Sequence, residues 1–67
     1  MKGIVKWFDA NRGFGFISGD DHKDYFVHCS EIKTEGYKTL IESQPVEYEE
    51  SENEKGLLAK NVKKINE

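Results

Sequence analysis

The chain has 67 residues, a single cysteine and a formal net charge of −3. That length leaves room for one small domain, residues 1–67, which buries only about 60% of its extended-chain surface and is marginally stable. One cysteine excludes an intramolecular disulfide, and no apolar run is long enough for a signal peptide or a membrane span, so a soluble protein of the reducing cytoplasm is expected.

Lys2 to Phe8 mixes β-branched and aromatic residues and is predicted to form a first strand. Asp9-Ala10-Asn11-Arg12-Gly13 supplies turn residues ahead of a second strand, Phe14 to Ser18. A polar turn, Gly19 to Lys23, leads into a third strand from Asp24 to Cys29. Ser30 is the expected cap of one helical turn ending at Lys33, and Thr34 to Ser43 makes a longer connection. Pro45 opens a fourth strand through Glu49, a position that suits proline. Ser51 to Gly56 reads as a polar loop, and Leu57 to Ile65 as the fifth strand. Apolar spacing nowhere persists for three helical turns. The expectation is an all-β fold, a five-stranded antiparallel Greek-key barrel of the OB type. Its expected core is Val5, Ile17, Val27, Ile32, Val46, Tyr48 and Val62.

Alternation sorts the second and third strands onto two faces. Arg12, Phe14 and Phe16 share one face, with Gly13, Gly15 and Ile17 on the other, where the glycines relieve crowding on the concave side. Phe26 and His28 point one way, Tyr25 and Val27 the other. Isolated strand phenylalanines usually belong to a core. Here Ile17 and Val27 already fill the opposite face, which leaves the rings for the surface. Flat rings beside a cation are what unstacked nucleobases bind, so single-stranded nucleic acid is the leading ligand. Trp7 and Phe8 lie on opposite faces of the first strand, and alternation alone does not say which faces out.

The net charge opposes a polyanionic partner until it is counted by segment. Residues 1–41 carry six basic and six acidic side chains, residues 42–54 carry six glutamates, and residues 55–67 carry four lysines and one glutamate. Charges more than about 8 Å apart are largely screened at physiological salt, so a distant acidic edge does not cancel a local basic one. Arg12 is the strongest cationic candidate because a guanidinium stacks as well as pairs with phosphate. Lys6, Lys38 and Lys55 are weaker candidates, since surface lysines are commonly just solvated. His28 reads as a stacking or base-edge residue in preference to a loop cap or a metal ligand, because its neighbours on the same face are aromatic. Asp24 is a turn acid or an acceptor for a base amino or imino group.

Catalysis finds no support in these residues. His28 and Cys29 are adjacent on a predicted strand, so their side chains diverge and do not make a nucleophile–base pair. No glycine loop followed by lysine and Ser/Thr cradles a phosphate, and one cysteine with two histidines lacks zinc-ligand spacing. The expectation is a non-enzyme without metal or cofactor.

Arg12-Gly13-Phe14-Gly15-Phe16-Ile17 is similar to the first ribonucleoprotein motif of RNA-recognition motifs. That pattern fails at Gly19, where it needs an aromatic, and the fold needs two amphipathic helices that this chain lacks. The better resemblance is to the bacterial cold-shock proteins, and it runs essentially end to end. It rests on Val5-Lys6-Trp7-Phe8, Arg12 to Ile17, Asp24-Tyr25-Phe26-Val27-His28, Glu35-Gly36-Tyr37-Lys38-Thr39-Leu40, and Ala59 to Val62, in the family's order. The resemblance implies a five-stranded barrel that binds single-stranded RNA and DNA on an aromatic face. It further implies an RNA chaperone that keeps transcripts unpaired, with effects on transcription termination or translation. Carried over by position, the binding residues are Lys6, Trp7, Arg12, Phe14, Phe16, Asp24, Phe26, His28 and Tyr37, with Lys55 plausible. A monomer without membrane or small-molecule partners is expected. The alternatives are a ribosome-associated OB-fold translation factor and a protein-interaction module with an exposed apolar patch.

The chain departs from the family pattern in several places. Cys29 stands where the family usually has phenylalanine, which predicts affinity lower by roughly 1–2 kcal/mol if that ring stacks a base. Leu57 and Leu58 replace Pro-Gln, Lys60 replaces alanine with a charge of unknown facing, and Asp9 replaces asparagine. Tyr25 takes an aliphatic position, so its hydroxyl must find water or a partner.

Overall fold

A computed structural model describes residues 1–33 and 40–65 of the chain. Five strands form a closed barrel: β1 (Lys2–Asp9), β2 (Phe14–Gly19), β3 (Asp24–His28), β4 (Pro45–Asn53) and β5 (Gly56–Lys64). Around the barrel the order is β1-β2-β3-β5-β4. Four of the seams are antiparallel, but β3 and β5 run parallel, paired at Phe26 and Leu58. The purely antiparallel barrel expected from the sequence is therefore corrected to a mixed one. The reason is parity: strand directions cannot alternate all the way around a ring with an odd number of members. At least one seam must be parallel, and it falls between β3 and β5.

The expected core is present. Val5, Ile17, Val27, Ile32, Val46, Tyr48 and Val62 are all buried, joined by Tyr25, Leu40 and Ala59. Tyr25 fits among apolar neighbours because its ring packs on Tyr48, with centroids 5.0 Å apart, while its hydroxyl reaches two carboxylates. It donates to Asp21 Oδ2 at 2.6 Å, and Glu50 Oε2 lies 3.2 Å away. These are the partners that the sequence required and did not name.

The largest differences from expectation lie at the β4–β5 turn and at the end of β3. The strands β4 and β5 run on to Asn53 and back from Gly56, so Ser51–Asn53 is strand and not loop. A two-residue turn suffices because Gly56 adopts φ +131° and Asn53 Oδ1 accepts from the Lys55 amide at 2.8 Å. Cys29 leaves the third strand for a 3-10 turn, Cys29–Glu31, whose cap is His28 and not Ser30. Arg12 and Gly13 sit in the turn before β2, as expected from the turn residues Asp9 to Gly13, so Arg12 does not share a strand face with Phe14 and Phe16. Asp9 Oδ1 accepts from the amides of Asn11 and Arg12 there, and Gly13 takes φ +77°, a conformation that costs other residues roughly 1–2 kcal/mol. Gly15 faces inward as expected, and a Cβ there would lie 2.6 Å from the Phe8 Cα.

Candidate nucleic-acid interface

The outward face of β1–β3 is built on one irregularity. Val5 pairs with Ile17, yet Trp7 pairs with Phe16, so Lys6 is an extra residue in β1 with no partner on β2. Simple alternation would send Val5 and Trp7 to the same side. The bulge re-aims the strand. Val5 stays buried, Trp7 turns outward at 40% exposure, and Phe8 rotates onto the core. This resolves which of the two aromatics lies on the surface.

Trp7 joins three half-buried phenylalanines whose positions follow from register. Phe16 lies opposite Phe26, and Phe14 lies opposite His28. The ring centroids close a circuit. Trp7 lies 5.8 Å from Phe14 and 5.6 Å from Phe16, and Phe26 lies 5.7 Å from each of those two. Phe14 and Phe26 are close to parallel, at 27°, and the other pairs are tilted or edge-on. Each ring is thus held by two others while part of its surface stays open to solvent. That fixes its orientation before any ligand arrives.

Polar candidates border the rings. Lys6 Nζ donates to Asp24 Oδ2 at 2.9 Å, so the bulge residue and the first residue of β3 are already an ion pair. Arg12 is mostly exposed, with Nε 3.6 Å from Asp9 Oδ2. Being in the turn, it lies beside the aromatic row and not within its strand. His28 Nδ1 accepts from the Ser30 amide at 3.1 Å and lies 2.9 Å from Ser30 Oγ. The neutral ring therefore carries its proton on Nε2. His28 takes the cap role that the sequence reading ranked second, and its side chain is still exposed. The Cys29 Sγ is 3.9 Å from the same Nδ1, and the thiol packs against the core. Tyr37 and Lys38 lie outside the described residues.

Two grooves flank Phe26 along the parallel seam. The larger, about 500 Å³, is lined by Phe16, Asp24, Phe26, Lys55, Leu57 and Leu58 among others. The smaller, about 200 Å³, is lined by Phe26, His28, Glu31, Leu58 and Lys60 among others. The structure thus brings Phe16, Asp24, Phe26 and Lys55 together in one groove. Leu58 belongs to both. Asn53 and Leu57 also border the larger groove and were not among the sequence candidates, because the seam that places them depends on barrel closure. Among the described residues no group of three or more His, Cys, Asp or Glu is placed to hold a metal ion. Among them, too, no helix is long and apolar enough to cross a membrane.

Against this geometry the comparisons are consistent. The model of the 'Cold-shock' DNA-binding domain matches residues 1–65. The chain belongs to the cold-shock domain family. It is 55% identical over 60 residues to cold shock protein 2 of Lactiplantibacillus plantarum, covering 90% of this chain and 91% of that one. It is 52% identical over 65 residues to a cold shock-like protein of Thermotoga maritima, covering 97% and 98%. Cold shock protein CspA of Staphylococcus saprophyticus is 52% identical over 64 residues, covering 96% and 97%. The cold-shock barrel is an OB-fold, and the expected architecture and family both hold.

Proposed function

We propose that the outward face of β1–β3 binds single-stranded nucleic acid and that the protein acts as an RNA chaperone. The observation that carries this reading is the circuit of four part-exposed rings, Trp7, Phe14, Phe16 and Phe26, on the surface of a barrel whose core is filled by other residues. Unpaired bases stack on these rings, each stack contributing roughly 1–3 kcal/mol. A few stacks suffice for micromolar or tighter binding after ordering costs. Base pairs that open transiently are trapped, so the equilibrium shifts toward unpaired strands without nucleotide hydrolysis. Lys6, Arg12 and Lys55 contact the backbone, Asp24 accepts from a base edge, and His28 stacks or donates from Nε2. Tyr37 extends the platform by family resemblance. The protein works as one domain, a cytoplasmic monomer that catalyses no reaction.

About three phosphate contacts give a log–log salt slope near −2 for single strands, a shallow salt dependence. The test is a titration of Trp7 fluorescence with short oligonucleotides at two salt concentrations. Strong quenching by single strands and not by duplex is expected. A silent titration with every strand would instead assign the face to a protein partner.

A further inference from the structure

The parallel seam between β3 and β5 is sparsely paired. Phe26 pairs with Leu58, and the next parallel bridge joins Ile32 to Val62. Between those two points the strands part, and the smaller groove lies in the gap. Its floor is Phe26 and Leu58, shared with the larger groove, and its rim carries His28, Glu31 and Lys60.

Each groove therefore repeats one set of groups: the Phe26 ring, the Leu58 side chain, a carboxylate and a lysine. In the larger groove these are Asp24 and Lys55, and in the smaller Glu31 and Lys60. Lys60 is exposed and, among the described residues, takes part in no ion pair. The ion pairs among the described residues are Lys6–Asp24 and Arg12–Asp9. The cross-strand neighbour of Lys60 is Glu49, whose Oε2 instead accepts from Asn61 Nδ2 at 2.9 Å. Asn61 takes φ +51°, and its amide donates toward Glu31 Oε1 at 3.4 Å. Asn61 thus engages both nearby carboxylates, and among the described residues neither lies within ion-pair distance of Lys60. An apolar floor favours a base over a phosphate, whose charge stays at the solvated rim.

We infer that Lys60 is an additional backbone contact, holding a phosphate of the strand whose base sits in the smaller groove; this rests on the single-strand reading above. The experiment titrates Trp7 fluorescence with oligothymidine across about 50–200 mM salt, for the wild type, Lys60→Ala, Lys60→Arg and Lys63→Ala. Lys63 is an exposed lysine on the same strand, outside both grooves. Lys60→Ala should give a slope shallower by about 0.7, the share of one phosphate contact, with Lys60→Arg restoring it and Lys63→Ala leaving it unchanged. A wild-type slope in Lys60→Ala, or an equal loss in Lys63→Ala, overturns the contact while the single-strand reading stands. A wild type silent to every strand overturns both.

Discussion

Lys6 and Asp24 meet across β2, Nζ to Oδ2 at 2.9 Å, with 54% and 49% of their side chains still exposed. An ion pair this open contributes at most about 1 kcal/mol to stability, and salt screens it. On the proposed reading its larger effect is electrostatic, because it neutralises a carboxylate beside the face where a polyanion would lie. Lys6→Met should leave urea unfolding within about 1 kcal/mol of wild type. It should weaken oligonucleotide binding clearly, most at low salt, as read by titration at two ionic strengths.

Phe14 and Ile17 share β2 but answer to different demands. Phe14 presents a part-exposed ring in the circuit, whereas Ile17 is fully buried. Phe14→Ala should cost about 1–3 kcal/mol of binding to single strands. Ile17→Val should cost about 0.5–1.5 kcal/mol of stability and leave the affinity of the folded protein unchanged. Paired fluorescence titrations and urea unfolding curves separate the two effects.

The hydroxyl of Tyr25 ties stability to pH at both extremes. Donation to Asp21 is the main cause holding the tyrosine far above its ordinary value of 10.0, and the same bond lowers Asp21 below 3.8. For the phenol, the folded state favours the protonated form. Its contribution is thus complete below pH 10.0 and fades as the solution becomes more alkaline. For Asp21 the folded state favours the carboxylate, so its contribution is complete above pH 3.8 and is lost on further acidification. Tyr48, pushed up to about 12 mainly by burial, keeps its own alkaline limb. Tyr25→Phe should therefore flatten, without abolishing, the loss of stability between pH 10 and 12, as measured by urea unfolding at each pH.

Cys29 packs against the core beside the backbone of Gly13, where a glycine Cβ would come within 3.1 Å of the sulfur. No ring projects from this position next to His28. Cys29→Phe should tighten binding to a thymine-rich oligomer by roughly 1–2 kcal/mol, the value of one added stack. Unchanged affinity in that titration would show that the missing ring costs nothing.

Much of this was legible because strands carry their faces in their alternation. Phe14, Phe16 and Phe26 separate from Ile17 and Val27 on that pattern alone, and the core list needed only Tyr25, Leu40 and Ala59 added. What stayed hidden depends on distant parts of the chain. Tyr25 is tolerated inside because Glu50, from another strand, lies at its hydroxyl beside Asp21. Ser51 to Asn53 is polar enough to read as a loop, yet pairing with Gly56 to Leu58 makes it strand. His28 reveals its cap only once Cys29 turns away from the sheet. The parallel seam follows from closing five strands into a ring, a property of the count and not of any local residue.

The unpaired Lys6 also sets how the chain tolerates changes in length. Deleting that one residue would remove the bulge and restore strict alternation along β1. Trp7 would then follow Val5 directly, opposite Phe16 and facing outward, with Phe8 opposite Gly15 and facing inward, the register positions both rings already hold. What would be lost is the local bend of the strand and the cation paired with Asp24. A one-residue deletion at Lys6 would therefore spare both faces of β1, whereas the same deletion within β3, which carries no bulge, would exchange its faces.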